Sequence, residues 1–265
     1  MIESNSIDLI ITNYKDDIQK KYLKMLKSGS FIFILSIPRQ DVMSKVIVSL
    51  QDIGFKTGFT SIYYTSKLGV KAIIVAMKPL SEKSYIDQAM KDGKGISWFD
   101  DCRIPVNRNN ERSYDKEAYS GKEGIFVEGK TRFLSGDIKT KRNDNWLNQG
   151  RFPANLLVSD DVLNDGRISN NYRPNFIGKI TGSQNFAGRR GVRNEPNDTG
   201  SFSRYFDLDK WWEKRIENFP KSFNNSLKLF SYLIVLGSRE NDIIFKPVKI
   251  DSIKIACKTL NRKVI

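Results

Sequence analysis

Histidine is absent from all 265 residues, and only two cysteines, Cys102 and Cys257, are present. Without an imidazole there can be no Ser-His or Cys-His nucleophile pair, no HExxH zinc site and no zinc deaminase centre. The two cysteines lie far apart in the chain without metal-ligand spacing, so no metal site is expected and both read as small buried apolar side chains. Long hydrophobic runs are also missing: nowhere do about eighteen apolar residues follow one another. The opening MIESNSIDLIITN has no basic segment leading into an apolar stretch, so neither a membrane span nor a signal peptide is expected, and a cytoplasmic location is. Any chemistry must use carboxylates, amides, lysines, backbone groups or a cofactor.

Positive charge and apolar content are present in quantity. Lysine and arginine total 44 against 30 acidic residues, a net charge of +14. That excess points to a polyanionic partner, because each cation that neutralises a phosphate also releases a counterion. With 39% apolar residues the chain can bury a core without a disulfide or metal staple.

Along the chain, continuous apolar runs alternate with helical spacings. Residues 6–12 (SIDLIIT), 31–37 (FIFILSI) and 70–77 (VKAIIVAM) have the pattern of strands covered on both faces. Residues 16–26 carry helical spacing up to Gly29 as stop signal, residues 41–53 form a second amphipathic helix closed by Gly54, and 55–64 can form a strand. Residues 81–92 read as helical. Near the end, 203–216 reads as a helical or turn-rich element, 226–236 as an amphipathic helix, 242–245 as a strand, 250–260 as a helix and 263–265 as a strand start. Strands alternating with helices of about a dozen residues predict an α/β domain with a largely parallel sheet.

Between these ordered ends the texture changes. Residues 93–200 are rich in Asn, Gly, Arg and Ser, apart from the apolar run 152–158 (FPANLLV). Within 164–204, Arg173, Arg189, Arg190, Arg193 and Arg204 stand among Tyr172, Phe176, Phe186 and Phe202, against the acids Asp165, Glu195 and Asp198 alone. Such interleaving suits phosphates and unstacked bases; a solvated loop is the alternative. Trp98, Trp146, Trp211 and Trp212 are expected in core or interface packing, and Asp207 and Asp209 as helix-cap and surface carboxylates.

Several segments, in order, resemble one family. The run Tyr22 to Ser30 with Asp52-Ile53-Gly54-Phe55, then Lys78-Pro79-Leu80-Ser81-Glu82-Lys83, Asp101-Cys102-Arg103-Ile104-Pro105, Gly150-Arg151-Phe152-Pro153-Ala154-Asn155-Leu156-Leu157 and Ser203-Arg204-Tyr205-Phe206, is similar to the site-specific DNA amino-methyltransferases, acting on adenine N6 or cytosine N4, common in phages and prophages. The resemblance implies a doubly wound, mostly parallel, Rossmann-like methyltransferase sheet with a large irregular inserted recognition region. It also implies halves at 1–80 and 203–265 flanking a basic target-recognition insertion at 81–202.

The same resemblance marks departures. The family places (D/N/S)PP(Y/F) after its catalytic strand, holding the amine of a flipped base; here Thr12-Asn13-Tyr14-Lys15-Asp16 follows, leaving Asn13 and Tyr14 as the aligned acceptor and stacking ring without either proline. The family's donor motif DPFxGSGTT, whose glycines admit S-adenosylmethionine, falls on Phe245-Lys246-Pro247-Val248-Lys249-Ile250-Asp251-Ser252-Ile253, which has no glycine. The HPTxKP motif falls on Lys221 to Ser226 with no characteristic residue kept, and the family's ribose-binding acid would follow Ile265. The expected function is a DNA-binding member of the family with its catalytic and donor motifs lost, needing no cofactor. Two alternatives stand beside it: an active S-adenosylmethionine-dependent enzyme using Asn13 and Tyr14 or completed by a partner chain, and a structural or assembly subunit on the same scaffold; DNA is the expected partner, with a protein partner or homodimer as a further one.

Overall fold

The structure, a computed structural model, describes residues 2–106, 150–152, 155–166, 200–216 and 224–265. The chain divides into two compact units, Met1–Ile104 with Phe152–Leu163 and Ser203–Ile265 in one, and Pro105–Arg151 with Asn164–Phe202 in the other. Most of the second unit lies outside the described residues.

In the first unit the apolar runs of the sequence become strands of one sheet. They are β1 (Ile7–Asn13), β2 (Leu26–Ser36), β3 (Ile62–Ser66), β4 (Gly69–Met77), β5 (Leu156–Val158), β6 (Ile243–Phe245) and β7 (Lys263–Val264), in the order β5-β3-β4-β2-β1-β6-β7. All pairings are parallel except those of β4, which runs antiparallel to both β2 and β3. Strand direction is not encoded in an apolar run, so this single reversal was not legible beforehand. Both sheet faces are covered, as continuous apolar strands require. Ile32, Ile34, Ile74 and Ala76 pack on one side under α1 (Lys20–Met25) and α2 (Gln40–Ile53). Phe33, Leu35, Ile73 and Val75 pack on the other, under α4 (Leu208–Arg215), α5 (Asn225–Gly237) and α6 (Asp251–Thr259). The helix α3 (Tyr85–Asp92) follows β4, with the Ser84 side chain accepting from the Asp87 N–H as its cap. This is an α/β, doubly wound, Rossmann-like fold, six strands parallel and one reversed.

Four local expectations are corrected. The helix expected over 16–26 shrinks to α1, and β2 starts at Leu26, well before Phe31. Gly29 is no helix stop: it sits inside β2 at φ +76, where the register with β1 slips between Ile7↔Leu26 and Leu9↔Phe31. Its N–H donates to the Lys78 carbonyl at 3.1 Å and its carbonyl accepts from the Gly95 N–H at 2.9 Å. A left-handed glycine terminates helices and forms bulges alike, so the sequence signal was ambiguous. Residues 55–61 likewise leave the strand expected there; only Lys56 bridges to Met77, while Phe59 turns its ring onto Phe31 at 5.5 Å. Finally, α5 is buried around its whole circumference from Leu229 to Gly237, because it is roofed by the neighbouring helices and by the short turn Phe99–Cys102.

Asp8, a lone carboxylate inside the apolar run of β1, is 1% exposed. It ion-pairs with Lys27 at 2.7 Å and Lys94 at 2.8 Å and accepts the Ile243 N–H at 2.8 Å; Lys94 continues to Asp242 at 3.0 Å. The starts of β1 and β6 are thereby tied together. Cys102 and Cys257 are fully buried as expected, burial pushing both thiols up, that of Cys257 to about 12. Trp211 and Trp212 are buried too, the Trp211 indole N–H donating to the Asp101 carbonyl at 2.9 Å. Trp98 carries the Arg239 guanidinium 3.4 Å above its ring. Trp146 lies outside the described residues.

Candidate functional site

In an open α/β sheet the ligand crevice forms where neighbouring parallel strands send their connections in opposite directions. Here β1 and β6 are those strands, paired at Leu9↔Ile244 and Ile10↔Phe245. The chain leaves β1 through α1 on one face toward β2, and leaves β6 through α6 on the other face toward β7. The crevice at their C-terminal ends is bordered by Asn13-Tyr14 and Phe245-Lys246-Pro247. Because β1 and β6 are neighbours, the segments that follow them, which the resemblance aligns with catalytic and donor positions, leave adjacent strands.

The β1 end closes on itself. The Asn13 side-chain Oδ1 accepts the Lys15 N–H at 3.0 Å, and the Asp16 N–H returns to the Asn13 carbonyl at 3.0 Å, an Asx turn of the kind that competes with other uses of the amide. Asp16 Oδ2 accepts both the Thr12 hydroxyl and the Asn13 N–H at 2.8 Å. Tyr14 donates its N–H to the Leu35 carbonyl at 2.8 Å and rests its ring against the α1–α2 core, with the Lys15 ammonium 5.8 Å from the ring centroid. Asp16 was not singled out from the sequence; its spacing three and four residues after the strand end is the turn-capping signal that would have found it.

The β6 end is closed as well. Phe245 packs its ring edge-on against Tyr22 at 5.7 Å. The Lys246 N–H donates to the Ile265 carbonyl at 3.1 Å, and the Val248 carbonyl accepts from both the Lys246 ammonium at 3.3 Å and the Ile250 N–H at 3.0 Å. No residue from 245 to 253 has a positive φ, so this turn never takes the conformation for which glycine is selected. Pro247 stands between these bonds on a partly exposed stretch. The segment carries side chains at every position where the donor motif of the resemblance has glycine, and the Lys246 ammonium is turned back onto the Val248 carbonyl.

The other segments singled out in the sequence hold the scaffold. The Lys78 ammonium donates to the Leu26 carbonyl and to Asn5 Oδ1, both at 2.7 Å, locking the start of β2. Asp101 ion-pairs with Arg215 at 3.0 Å and with Arg239; burial raises its carboxyl, but the two guanidiniums prevail and hold it below the ordinary value. Ile104 is fully buried, and Arg103 stacks 3.5 Å over the ring of Phe152. Asn155 accepts the Tyr63 N–H through its carbonyl at 2.7 Å, entering β5. Asp207 caps α4, accepting the N–H groups of Asp209 and Lys210 at 3.0 Å, while Asp209 takes the Lys228 ammonium at 2.6 Å. Among the described residues no cluster of acids and cysteines could hold a metal ion.

Of the basic residues marked for nucleic acid, Arg173, Arg189, Arg190 and Arg193 lie outside the described residues. Arg204 is 5% exposed, with its guanidinium 4.3 Å from the Tyr205 ring and donating to the Tyr205 hydroxyl at 2.7 Å. No helix among the described residues is long and apolar enough to cross a membrane.

No protein-family model and no curated protein matches this chain. Solved structures do show a likeness. The protein M1.HpyAVI is 12% identical, with a TM-score of 0.40 over 98% of this chain and 79% of that one, and is also solved as a complex with S-adenosylmethionine. The cytosine-N4-specific PvuII DNA methyltransferase is 11% identical, with a TM-score of 0.43 over 99% of this chain and 74% of that one. A candidate DNA modification methylase of Thermus thermophilus is 12% identical, with a TM-score of 0.43 over 98% of this chain and 80% of that one.

Proposed function

We propose that this chain is a DNA-binding protein on a DNA amino-methyltransferase scaffold that does not transfer methyl groups. The observation that carries the proposal is the state of the crevice: the Asn13 amide oxygen is bound to the Lys15 N–H at 3.0 Å, and the Val248 carbonyl is bound by Ile250 and Lys246. Methyl transfer needs an acceptor free to hold the flipped amine and open backbone to seat the donor. Both strand ends are committed to their own turns instead. Family-like residues persist where they hold the sheet, at Lys78, Asp101 and Asn155, and are altered where donor and base would meet.

The net charge of +14 supports DNA as the partner, with Arg173, Arg189, Arg190 and Arg193 as phosphate ligands in this proposal. The protein would occupy DNA without modifying it, as a roadblock or regulator at methylation sites. Two titrations on the same preparation test the reading. Calorimetry with S-adenosylmethionine and S-adenosylhomocysteine, with and without duplex DNA, should give no binding heat at micromolar concentration. A DNA shift assay across a salt series should show binding that weakens steeply with salt. Donor binding would replace the proposal with an active methyltransferase acting through Asn13 and Tyr14. Indifference to DNA would replace it with a structural subunit.

A further inference from the structure

A second concavity lies away from the crevice, on the α5 face of the sheet, whereas Tyr14 packs on the opposite face. It encloses about 170 Å³ between β2, β3, β4 and the last turns of α5. Phe31, Phe33, Phe59 and Tyr232 form its walls and Phe99 stands at its mouth. Phe31 meets Phe33 in a stacked arrangement at 6.0 Å and Phe59 edge-on at 5.5 Å, so the wall is a continuous aromatic cluster.

The mouth continues this aromatic surface outward. Phe99 is 51% exposed and meets the 53% exposed Phe152 edge-on at 6.3 Å; Arg103 covers Phe152 at 3.5 Å. Neutral polar groups of Thr60, Ser97 and Asn155 line the cavity too, and among the described residues no lining side chain carries a charge.

We propose that this cavity is a binding site for one neutral, flat aromatic molecule of one or two fused rings. Size sets the upper bound: an apolar cavity of about 150 Å³ admits a benzene-sized solute. Uncharged walls exclude phosphates, carboxylates and ammonium ions, whose desolvation nothing here would offset. The aromatic lining selects aromatic over aliphatic occupants, since aromatic contacts with several phenylalanines add to simple burial. The hydroxyls and amide supply the few polar contacts that orient a small ligand. This inference stands apart from the proposed DNA binding, because the described lining of the cavity includes none of Asn13, Tyr14 or Phe245 to Pro247 and none of the arginines proposed to hold phosphate.

Thermal unfolding of the full-length protein in increasing indole tests it, with cyclohexanol as the aliphatic comparison. Indole should raise the midpoint saturably, as a ligand of the folded state must, and cyclohexanol should need at least a tenfold higher concentration for the same rise. Ser97→Leu, which adds bulk to the lining, should weaken the indole effect at least tenfold. Crystals soaked in 5-bromoindole give a readout independent of that variant: an anomalous bromine peak between Phe33 and Tyr232 is expected. Absence of a saturable rise, an equal response to cyclohexanol, an undiminished effect in a folded Ser97→Leu protein, or bromine located elsewhere would each overturn the assignment.

Discussion

The carboxylate of Asp8 and the ammonium of Lys94 meet at 2.8 Å with 1% and 12% of their side chains exposed. They join the first strand of the chain to the segment after α3, and through Asp242 to the approach to β6. A charge so deeply placed is tolerable only because it is paired and hydrogen-bonded. Asp8→Ala leaves Lys94 buried beside a void and the Ile243 N–H without its acceptor. The expected loss is about 3–5 kcal/mol, read as a lower urea midpoint at unchanged slope. A loss below about 1 kcal/mol would show that the pair contributes no more than a surface bridge.

The same carboxylate shapes the acid limb of stability. Burial raises the Asp8 carboxyl, but the Ile243 N–H, Lys27 and Lys94 together outweigh it and hold the group below its ordinary value of 3.8. A carboxylate depressed in the folded state contributes stability that is complete above the unfolded value and is lost as pH falls through the folded one. Asp207 has the opposite sign, because burial, aided by nearby Asp209, lifts its carboxyl; its contribution fades as pH rises through the raised value. Asp8→Asn should therefore flatten the fall in denaturation midpoint below about pH 4, while Asp207→Asn should leave that fall in place.

Gly29 tolerates no side chain. At φ +76 an added Cβ would lie 2.7 Å from the Gly95 backbone nitrogen and 3.1 Å from Gln88 Cγ. Gln88 cannot retreat, since it is fully buried and its Oε1 accepts the Ser81 N–H at 2.8 Å. Gly29→Ala should cost about 1–3 kcal/mol from backbone strain and forced displacement. Gly69→Ala, with positive φ but open space, isolates the strain alone and should cost less in the same melt.

Asn13 is a turn residue under the proposed reading. Asn13→Ala removes the bond to the Lys15 N–H and should cost about 1 kcal/mol while leaving DNA affinity unchanged. An active enzyme would instead show a methyl-transfer rate in the parent protein that this substitution abolishes; a radiolabelled methyl assay on both proteins separates the cases.

The basic middle region makes a quantitative claim. If Arg189, Arg190 and Arg193 each neutralise a phosphate, replacing all three with glutamine should reduce the salt slope of duplex binding by roughly 0.9 for each phosphate no longer neutralised. A weakened affinity with an unchanged slope would place the phosphate ligands on other residues.

Much of the fold was legible because burial on two faces leaves continuous apolar runs, as at Phe31 to Ile37, and because Gly54 closes α2 in the left-handed form its sequence announced. Gly29 misled for a related reason: the left-handed glycine that ends one element opens a bulge in another. The pairing of β1 with β6, which sets the segments after both strands side by side, could be expected only through a family resemblance. The Asp8 cluster could not be expected at all, since its members lie far apart in the chain; one acid within SIDLIIT was its only trace.

Composition alone determined that this chain carries no imidazole chemistry, bears a net charge of +14 and has apolar runs enough for a covered sheet, because these are sums over residues that no arrangement can alter. The reversed direction of β4, the meeting of β1 with β6 and the burial of Asp8 between two lysines were decided only by the tertiary structure. Each depends on which distant segments share a neighbourhood, and a hydrogen bond or an ion pair acts over a few ångströms whatever the separation along the chain.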